Sequence, residues 1–487
     1  MVRAALVAVA LAAAGCGYHA SFVDCQVACS TGCPDGLVCG GEGYCRLPGA
    51  VASCNEVQSD AGGVTRVDVL NARATPSRDL DVLFVIDDSL AMTDKQDRVK
   101  AALPALFAEL AKLDGGLPNL HVGVVSSDMG TKGSAVATPG PGIGTIGQGG
   151  CSGLGKAGNL TVNGAPVTKA FLEDVAAGSG ARERNYTGEL AAVVGTMISL
   201  GEGGCGFEQH LAAMRAALSG NPMNAGFLRP DAGLAVIVVA DEDDCSILDP
   251  AVLGPESAAL GPLQSFRCFQ FGDVCEPDDP TTLGAKTGCR PRPSSLYIED
   301  LASFRTFLAG LKPDPRDVML GVIGGPPTPV TVELERLTTI TNLAVANACS
   351  YVSPEGATGA DPAIRFDALL QSFPGRTRFA AVCDADLAPA MTAMAQTARP
   401  LAGDTCLELA IADSAAAPGV QGDCFVDDVV GAVRTPIQAC GSNTFPCWDL
   451  VEDAVACPTQ SQHLKLVVTR NAPSPTGGRV VARCAAP

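Results

Sequence analysis

Five apolar runs constrain this chain more than any other feature: "DVLFVID" (81–87), "LHVGVVSSD" (120–128), "GLAVIVVAD" (233–241), "DVMLGVIGG" (317–325) and "RFAAVCD" (378–384). Each is short, rich in β-branched residues and apolar on both faces. Helical patterns separate them. After the first run, Thr93 and Gln96 have the spacing of a capping box. Val99, Leu103, Leu106, Phe107 and Leu110 then follow helical periodicity, with Pro104 expected to kink or split the helix. Phe207, Leu211, Met214 and Leu218 line one face of a second helix, and a third is expected near 296–311. Two-faced strands alternating with amphipathic helices predict an α/β fold over 79–403, a doubly wound, mostly parallel sheet covered on both sides. Two stretches break the alternation. Residues 129–186 are Gly-rich and 246–295 are rich in Pro, Asp and Gly, so both are expected as disulfide-pinned surface insertions.

The first run passes without a spacer into Asp87, Asp88 and Ser89, and the third ends on "DEDDCS", Asp241 to Ser246. In open α/β sheets ligands bind at the carboxyl ends of the strands. Two buried strands would thus bring carboxylates to one edge, where their repulsion and desolvation are costly. A divalent cation resolves the conflict, since Mg²⁺ takes one or two carboxylates, hydroxyls and waters.

This arrangement resembles the von Willebrand factor type A (VWA) domain. Its metal-ion-dependent adhesion site uses Asp-x-Ser-x-Ser after the first strand, a Thr from a middle loop and an Asp after the fourth strand. The resemblance implies Asp87, Ser89 and Asp241 as metal ligands and covers the chain from 81–87 to the helix after Asp384. It departs from the family at two points. Ala91 stands where the second Ser belongs, and the middle loop "EGGCGFEQHL" (202–211) has Cys205 but no Thr. Glu208, with its longer arm, is a substitute for the Thr. Asp88, Glu242, Asp243 and Asp244 are spare carboxylates, direct or through water. Such an oxygen cluster suits Mg²⁺, Ca²⁺ or Mn²⁺. The alternative is a fold that has lost its ion, with the carboxylates solvated or capping helices.

The chain has 21 cysteines. Cys16 closes "MVRAALVAVALAAAGC", a short apolar run after one Arg, too short to span a bilayer and fit for an export signal. Its Ala14-Gly15-Cys16 end resembles a bacterial lipobox, which implies cleavage after residue 15 and diacylglycerol on Cys16; the alternative is a plain signal peptide. Gly17 after the Cys leans, by the same resemblance, toward the outer membrane of a Gram-negative envelope. The remaining cysteines form three even groups, at 25–54, 151–383 and 406–484, expected to pair within themselves. There is no Cys-x-x-Cys and the four His are scattered, which disfavours zinc. Residues 16–54 resemble a small EGF-like or knottin-like module. Residues 55–78 read as linker with one strand, and 404–487 as a small, disulfide-tied β domain.

A formal charge of −19 argues against nucleic acid and favours cations or basic surfaces. Enzyme signatures are lacking. A haloacid-dehalogenase-like phosphohydrolase needs an Asp where Ser89 stands, and neither a P-loop nor Gly-x-Ser-x-Gly occurs. The sequence thus reads as a lipid-anchored envelope protein that binds an unknown protein ligand and touches the membrane through its anchor alone. The rival readings are a metal-free structural envelope protein and, behind it, a metal-dependent phosphohydrolase. Mass spectrometry of the mature N-terminus is expected to find an acylated Cys16; an unmodified start at Gly17 or Ala20 would refute the lipobox reading.

Overall fold

The computed structural model describes residues 65–487 apart from 178–179, 338–339, 355, 414–419, 421, 442–443, 458–459 and 476. It also describes the two-residue strands Val38–Cys39, Cys45–Arg46 and Gln58–Ser59. The expected signal peptide, Cys16 and the Cys-rich module lie outside the described residues, apart from the antiparallel pair Val38–Cys39 with Cys45–Arg46.

All five apolar runs form strands of one central sheet. Its members are Asp79–Ile86 (β1), Asn119–Ser126 (β2), Leu172–Ala176 (β3), Arg182–Arg184 (β4), Gly233–Val239 (β5), Val318–Gly324 (β6) and Thr377–Ala381 (β7). The order is β7-β6-β5-β1-β2-β3-β4. Pairing from β7 through β2 is parallel, while β3 and β4 are antiparallel additions. The chain winds outward in one direction from β1 to β2 and in the other from β5 to β7, so the switch point lies between β1 and β5.

The strands are buried on both faces, which is why the runs lack polar alternation. Leu80, Val82, Phe84 and Ile86 face one way, against Thr93–Leu110 (α1), Leu190–Ile198 (α2) and Ala388–Ala398 (α7). Leu83 and Val85 face the other, against His210–Leu218 (α3), Leu301–Ala309 (α5) and Ile364–Leu370 (α6). Each fully buried side chain of this kind contributes about 1.5–3 kcal/mol. Asp81, at the amino end of β1, is the polar exception. It is fully buried and held by Arg229, with Nε 2.8 Å from its Oδ1.

The expected capping box does not form. Met92 caps α1 and no side chain takes part. Gln96 instead faces inward, donating to Asp87 O (2.8 Å) and Gly201 O (2.9 Å) and accepting from Gly201 N. It thus satisfies loop backbone that no strand partner reaches. Nor is α1 split at Pro104; it runs as one element, its apolar stripe packed on the sheet.

The two insertions are more structured than expected. The first supplies β3 and β4 and so widens the sheet. The second supplies Phe266–Gly272 (α4) and the strands Asp273–Glu276 and Gly284–Pro291. These join Val330–Leu337 and Ile340–Val345 in a four-stranded sheet. Seven disulfides are present among the described residues. Cys151–Cys205, Cys245–Cys268, Cys275–Cys289 and Cys349–Cys383 stay within the middle group. Cys406–Cys457, Cys424–Cys484 and Cys440–Cys447 stay within the last. This density fits an oxidising compartment. Among the described residues no helix is long and apolar enough to cross a membrane.

Residues after 404 build a second seven-stranded sheet that also takes in two segments from before β1. In order, its strands are Leu464–Thr469, Cys447–Glu452, Val433–Ala439, Cys424–Val430, Arg479–Ala485, Thr65–Arg73 and Gln58–Ser59. The one strand expected within the 55–78 linker forms as the nine-residue Thr65–Arg73, and it pairs with Arg479–Ala485. "CLELAIAD" is not a strand; Leu407 and Ile411 reach the core of this sheet from a loop. Buried charges join the two sheets. Arg399 lies 2.9 Å from Glu109 of α1 and 2.8 Å from Asp404, and it donates to Ala456 O. Arg399→Met would remove the charge that Glu109 and Asp404 share, leaving Glu109 to Lys112 and Asp404 to the Cys406 amide. It is expected to cost about 3–5 kcal/mol in denaturant unfolding; a loss within experimental error would refute the role of this arginine as the fastening.

Candidate functional site

The loops after β1 and β5 meet at the switch point, and the site is built from them outward. Asp87 follows β1 directly, its N–H donating to Val239 O on β5 at 2.9 Å. It is fully buried, and its Oδ1 accepts from Ser89 N at 2.8 Å. Its Oδ2 has no hydrogen bond. His210, at the start of α3, places Nε2 3.3 Å from that oxygen, an ion-pair distance without the alignment of a hydrogen bond. Asp241 follows β5 and lies 12% exposed, its Oδ2 2.9 Å from Lys95 Nζ. That ammonium is buried and also donates to Ala91 O (2.9 Å) and Thr358 Oγ1 (3.0 Å). Asp241 Oδ1 has no partner.

Glu208 comes from the loop before α3. It is buried and neither carboxylate oxygen has a partner. Ser127 Oγ, in the loop after β2, is buried and unpartnered as well. Asp88 turns away from this group: it accepts from Ser126 Oγ at 2.6 Å and pairs with Lys156 of the first insertion. Gly204 N donates to Asp88 O at 2.6 Å, and a Cβ on Gly204 would sit 2.3 Å from Asp88 Oδ1. The loop thus needs glycine where the family resemblance puts the Thr loop.

The other carboxylates divide by role. Asp244 Oδ1 caps α3 by accepting from Leu211 N at 2.9 Å, and its Oδ2 pairs with Arg365 at 3.1 Å. Asp243 Oδ2 accepts from Arg365 N at 2.7 Å at the start of α6. Both are therefore anchored structurally. Glu242 faces a cavity on the far side of the loop. Ala91 is exposed, has φ of 70° and donates its N–H to Glu202 Oε2 at 3.0 Å.

These positions set the electrostatics. Burial pushes Asp87 up, but the His210 imidazole and the Ser89 amide outweigh it and hold the carboxyl below its ordinary range. Burial opposes charge on His210, yet Asp87 beside it, with Asp244 and Asp243 beyond, holds its pKa above the usual value. Burial and then Asp87 push Asp241 up to about 6, against the pull of Lys95. Glu208 stands well above the carboxylate range, through burial first and then Glu242, Asp87 and Asp241.

The donor set, carboxylates and hydroxyls with orphaned oxygens, has the chemistry of a hard-cation site. The charge that such an ion would supply beside Asp241 is already supplied by Lys95. Among the described residues no group of three His, Cys, Asp or Glu side chains is arranged to hold a metal ion. The edge carries its own basic groups, His210 for Asp87, Lys156 for Asp88 and Lys95 for Asp241, and leaves Glu208 without one. Periodicity places Lys95 on the buried stripe with Val99 and Leu103, and His210 four residues before Met214; those spacings are the signal that marks both as inward-facing. Lys156, in a Gly-rich insertion, has no such signal.

No protein-family model matches the sequence and no curated protein does. Solved structures similar to it include a von Willebrand factor type A protein from Catenulispora acidiphila (15% identity, TM-score 0.27), aligned over 89% of this chain and 62% of that one. Another is the pilus adhesin RrgA of Streptococcus pneumoniae (10%, 0.28, 88% and 60%). A third is the adhesive tip pilin GBS104 of group B Streptococcus agalactiae (11%, 0.26, 92% and 86%). The chain spans about 60% of the length of the first two. Superpositions this loose assign nothing.

A group whose pKa is raised on folding confers stability at low pH that is lost as pH rises through its folded value; a depressed group such as Asp87 confers stability lost as pH falls. Glu208 and Asp241 belong to the first kind. Unfolding free energy is therefore expected to decline as pH rises from about 4.5 toward neutrality. Glu208→Gln should flatten that decline and be the more stable chain at neutral pH. Parallel pH series for wild type and variant, read by denaturant unfolding, would expose an error if the two curves kept a constant offset.

Proposed function

We propose that this chain is an exported binding module that takes a cationic partner surface at the carboxyl edge of its central sheet. One observation carries the reading: four buried carboxylate oxygens at the topological switch point, Asp87 Oδ2, Asp241 Oδ1 and both of Glu208, make no hydrogen bond. Unsatisfied buried acceptors cost free energy, and a donor brought by a partner recovers it. The rim suits a protein partner. Leu90 (54% exposed) and Ile146 (64%) present apolar side chains on the loops beside the acidic group. A lipid anchor on Cys16 would hold the module at the envelope.

A second reading is favoured by the same orphaned oxygens: a divalent ion held by Asp87, Ser89, Asp241 and Glu208, with Lys95 displaced. The ion would offer a free coordination position to a carboxylate of the partner. Lys95 decides between the two. If the ammonium is the resident charge, Mg²⁺, Mn²⁺ and Ca²⁺ leave the wild-type melting temperature unchanged, while Lys95→Met gains a cation-dependent rise. A rise in wild type favours the divalent site instead. For the binding itself, a lysine- and arginine-rich peptide library read by fluorescence anisotropy is the assay. Combining Leu90→Ser, Glu202→Gln and Glu208→Gln is expected to weaken its hits about tenfold or more. Equal affinities for wild type and variant would leave a structural envelope role as the better account.

A further inference from the structure

On the other side of the 241–246 loop lies a cavity of about 470 Å³ that the site above does not use. Its walls come from that loop, from α4 and from the strands Val330–Leu337 and Ile340–Val345. Glu242, Asp273, Glu333, Glu335 and Asp361 all line it. Glu333 and Glu335 are exposed and form the rim. Asp273 lies at the base, 3% exposed, and its Oδ1 has no hydrogen-bond partner. Phe266 and Phe269 supply an apolar wall, their rings 5.7 Å apart and tilted by 48°.

The nearby cations Arg365 and Arg292 act on Asp273 through space but give its Oδ1 no hydrogen bond. Arg365 is held by Asp244 at 3.1 Å and by Glu299 O at 2.9 Å. Arg292 reaches Asp278 at 3.8 Å. Burial and mutual repulsion push Glu242 and Asp273 well above the carboxylate range and Asp361 up to about 8, so the cavity gathers carboxyls that an entering cation would drive to ionise, beside two aromatic rings. Its volume falls in the ordinary range for a small-ligand site, roughly 300–1,000 Å³. A compact metal ion is a poor match, because the carboxylates are spread over the walls and no three of them converge on one point. An extended cation fits both features: its charged head meets the acids, and its methylenes and π-face contacts meet the rings.

We infer that this cavity is a receptor for a lysine or arginine side chain of the protein partner. The inference rests on the reading of the carboxyl edge as a partner-binding surface and adds the residue type that anchors it. A basic side chain entering past Glu333 and Glu335 would bring its head to Asp273 and lay its stem along Phe266 and Phe269. The buried, unpartnered carboxylate oxygen would gain its donor, which is where an anchor residue is worth most.

Blocked amides are the probe: N-acetyl-arginine methylamide and N-acetyl-lysine methylamide, titrated into the full chain by calorimetry and by NMR. Saturable one-to-one binding is expected. Asp273→Asn should weaken it about tenfold or more. Glu333→Gln with Glu335→Gln should weaken it less and reduce its salt dependence. These rim residues are exposed, so the double variant keeps the proposal testable if Asp273→Asn fails to fold. Ca²⁺ or Mg²⁺ at matched ionic strength should not displace the amides. The inference is overturned by an absence of saturable binding, by binding that the rim variants leave unchanged, or by displacement with Ca²⁺. The amides are too small to span both sites, so they report on the cavity alone. Amide binding together with a peptide library insensitive to the edge variants would keep the receptor and remove the edge; lost amide binding with sensitive peptides would do the reverse.

Discussion

Two carboxylates leave neighbouring strands and enter the same dry crevice; everything around them answers that conflict. The parallel pairing of β1 with β5 fixes it, since Phe84 lies opposite Ile237 and both strands end at the same height. Asp87 and Asp241 cannot then avoid one another. Lys95 reaches up from the first turn of α1 to one and His210 from the first turn of α3 to the other. A helix N-terminus is a place where backbone dipoles favour anions, so these helices point their own positive ends at the same spot. Side-chain charge and backbone dipole act together where an ion would otherwise be needed.

The loops that hold this arrangement are fastened covalently. Cys205 lies between Gly204, which presses on Asp88, and the segment leading to Glu208; its bridge to Cys151 ties the first insertion down over the edge. Cys245 follows Asp244 directly and is tied to Cys268 in α4. Each bridge thus fixes a loop carrying an acidic residue, so the spacing of the charges does not depend on weak surface contacts. The same two bridges place the Gly-rich loop with Ile146 on one side of the edge and the acidic cavity on the other.

Much of this was legible in the sequence. The five apolar runs became the five core strands because two-sided burial leaves a plain compositional trace. Asp87 and Asp241 could be placed at one edge from chain order alone. The cysteine grouping also stood, among the described residues, because local bridges respect the order in which segments pack. What could not be read has physical reasons. Gln96 has the spacing of a cap yet serves two loops, a tertiary demand that local pattern does not carry. The strand at Thr65–Arg73 is legible within its linker, but its pairing is not, because its partner Arg479–Ala485 is so distant in sequence. Lys95 and His210 look like ordinary helix residues until their place on an apolar stripe is weighed against the carboxylates nearby. Glu208 was named for its reach, but its isolation from any donor is a property of the packed site.

The pairing of Thr65–Arg73 with Arg479–Ala485 has a consequence for how the chain matures. Arg479 and Asn71, hydrogen-bonded side chain to side chain at 2.6 Å, are 408 residues apart in sequence. The whole α/β layer is therefore threaded between the first long strand of the flanking sheet and its last. Closing a loop of that length costs entropy that no early contact repays, and contacts so distant form slowly. The α/β layer, whose four bridges close over short spans, does not depend on that pairing. The flanking sheet cannot close until Arg479–Ala485 takes its place between Thr65–Arg73 and Cys424–Val430. A chain truncated between the end of α7 and residue 479 would carry a finished central sheet and an open, adhesive edge on the flanking one.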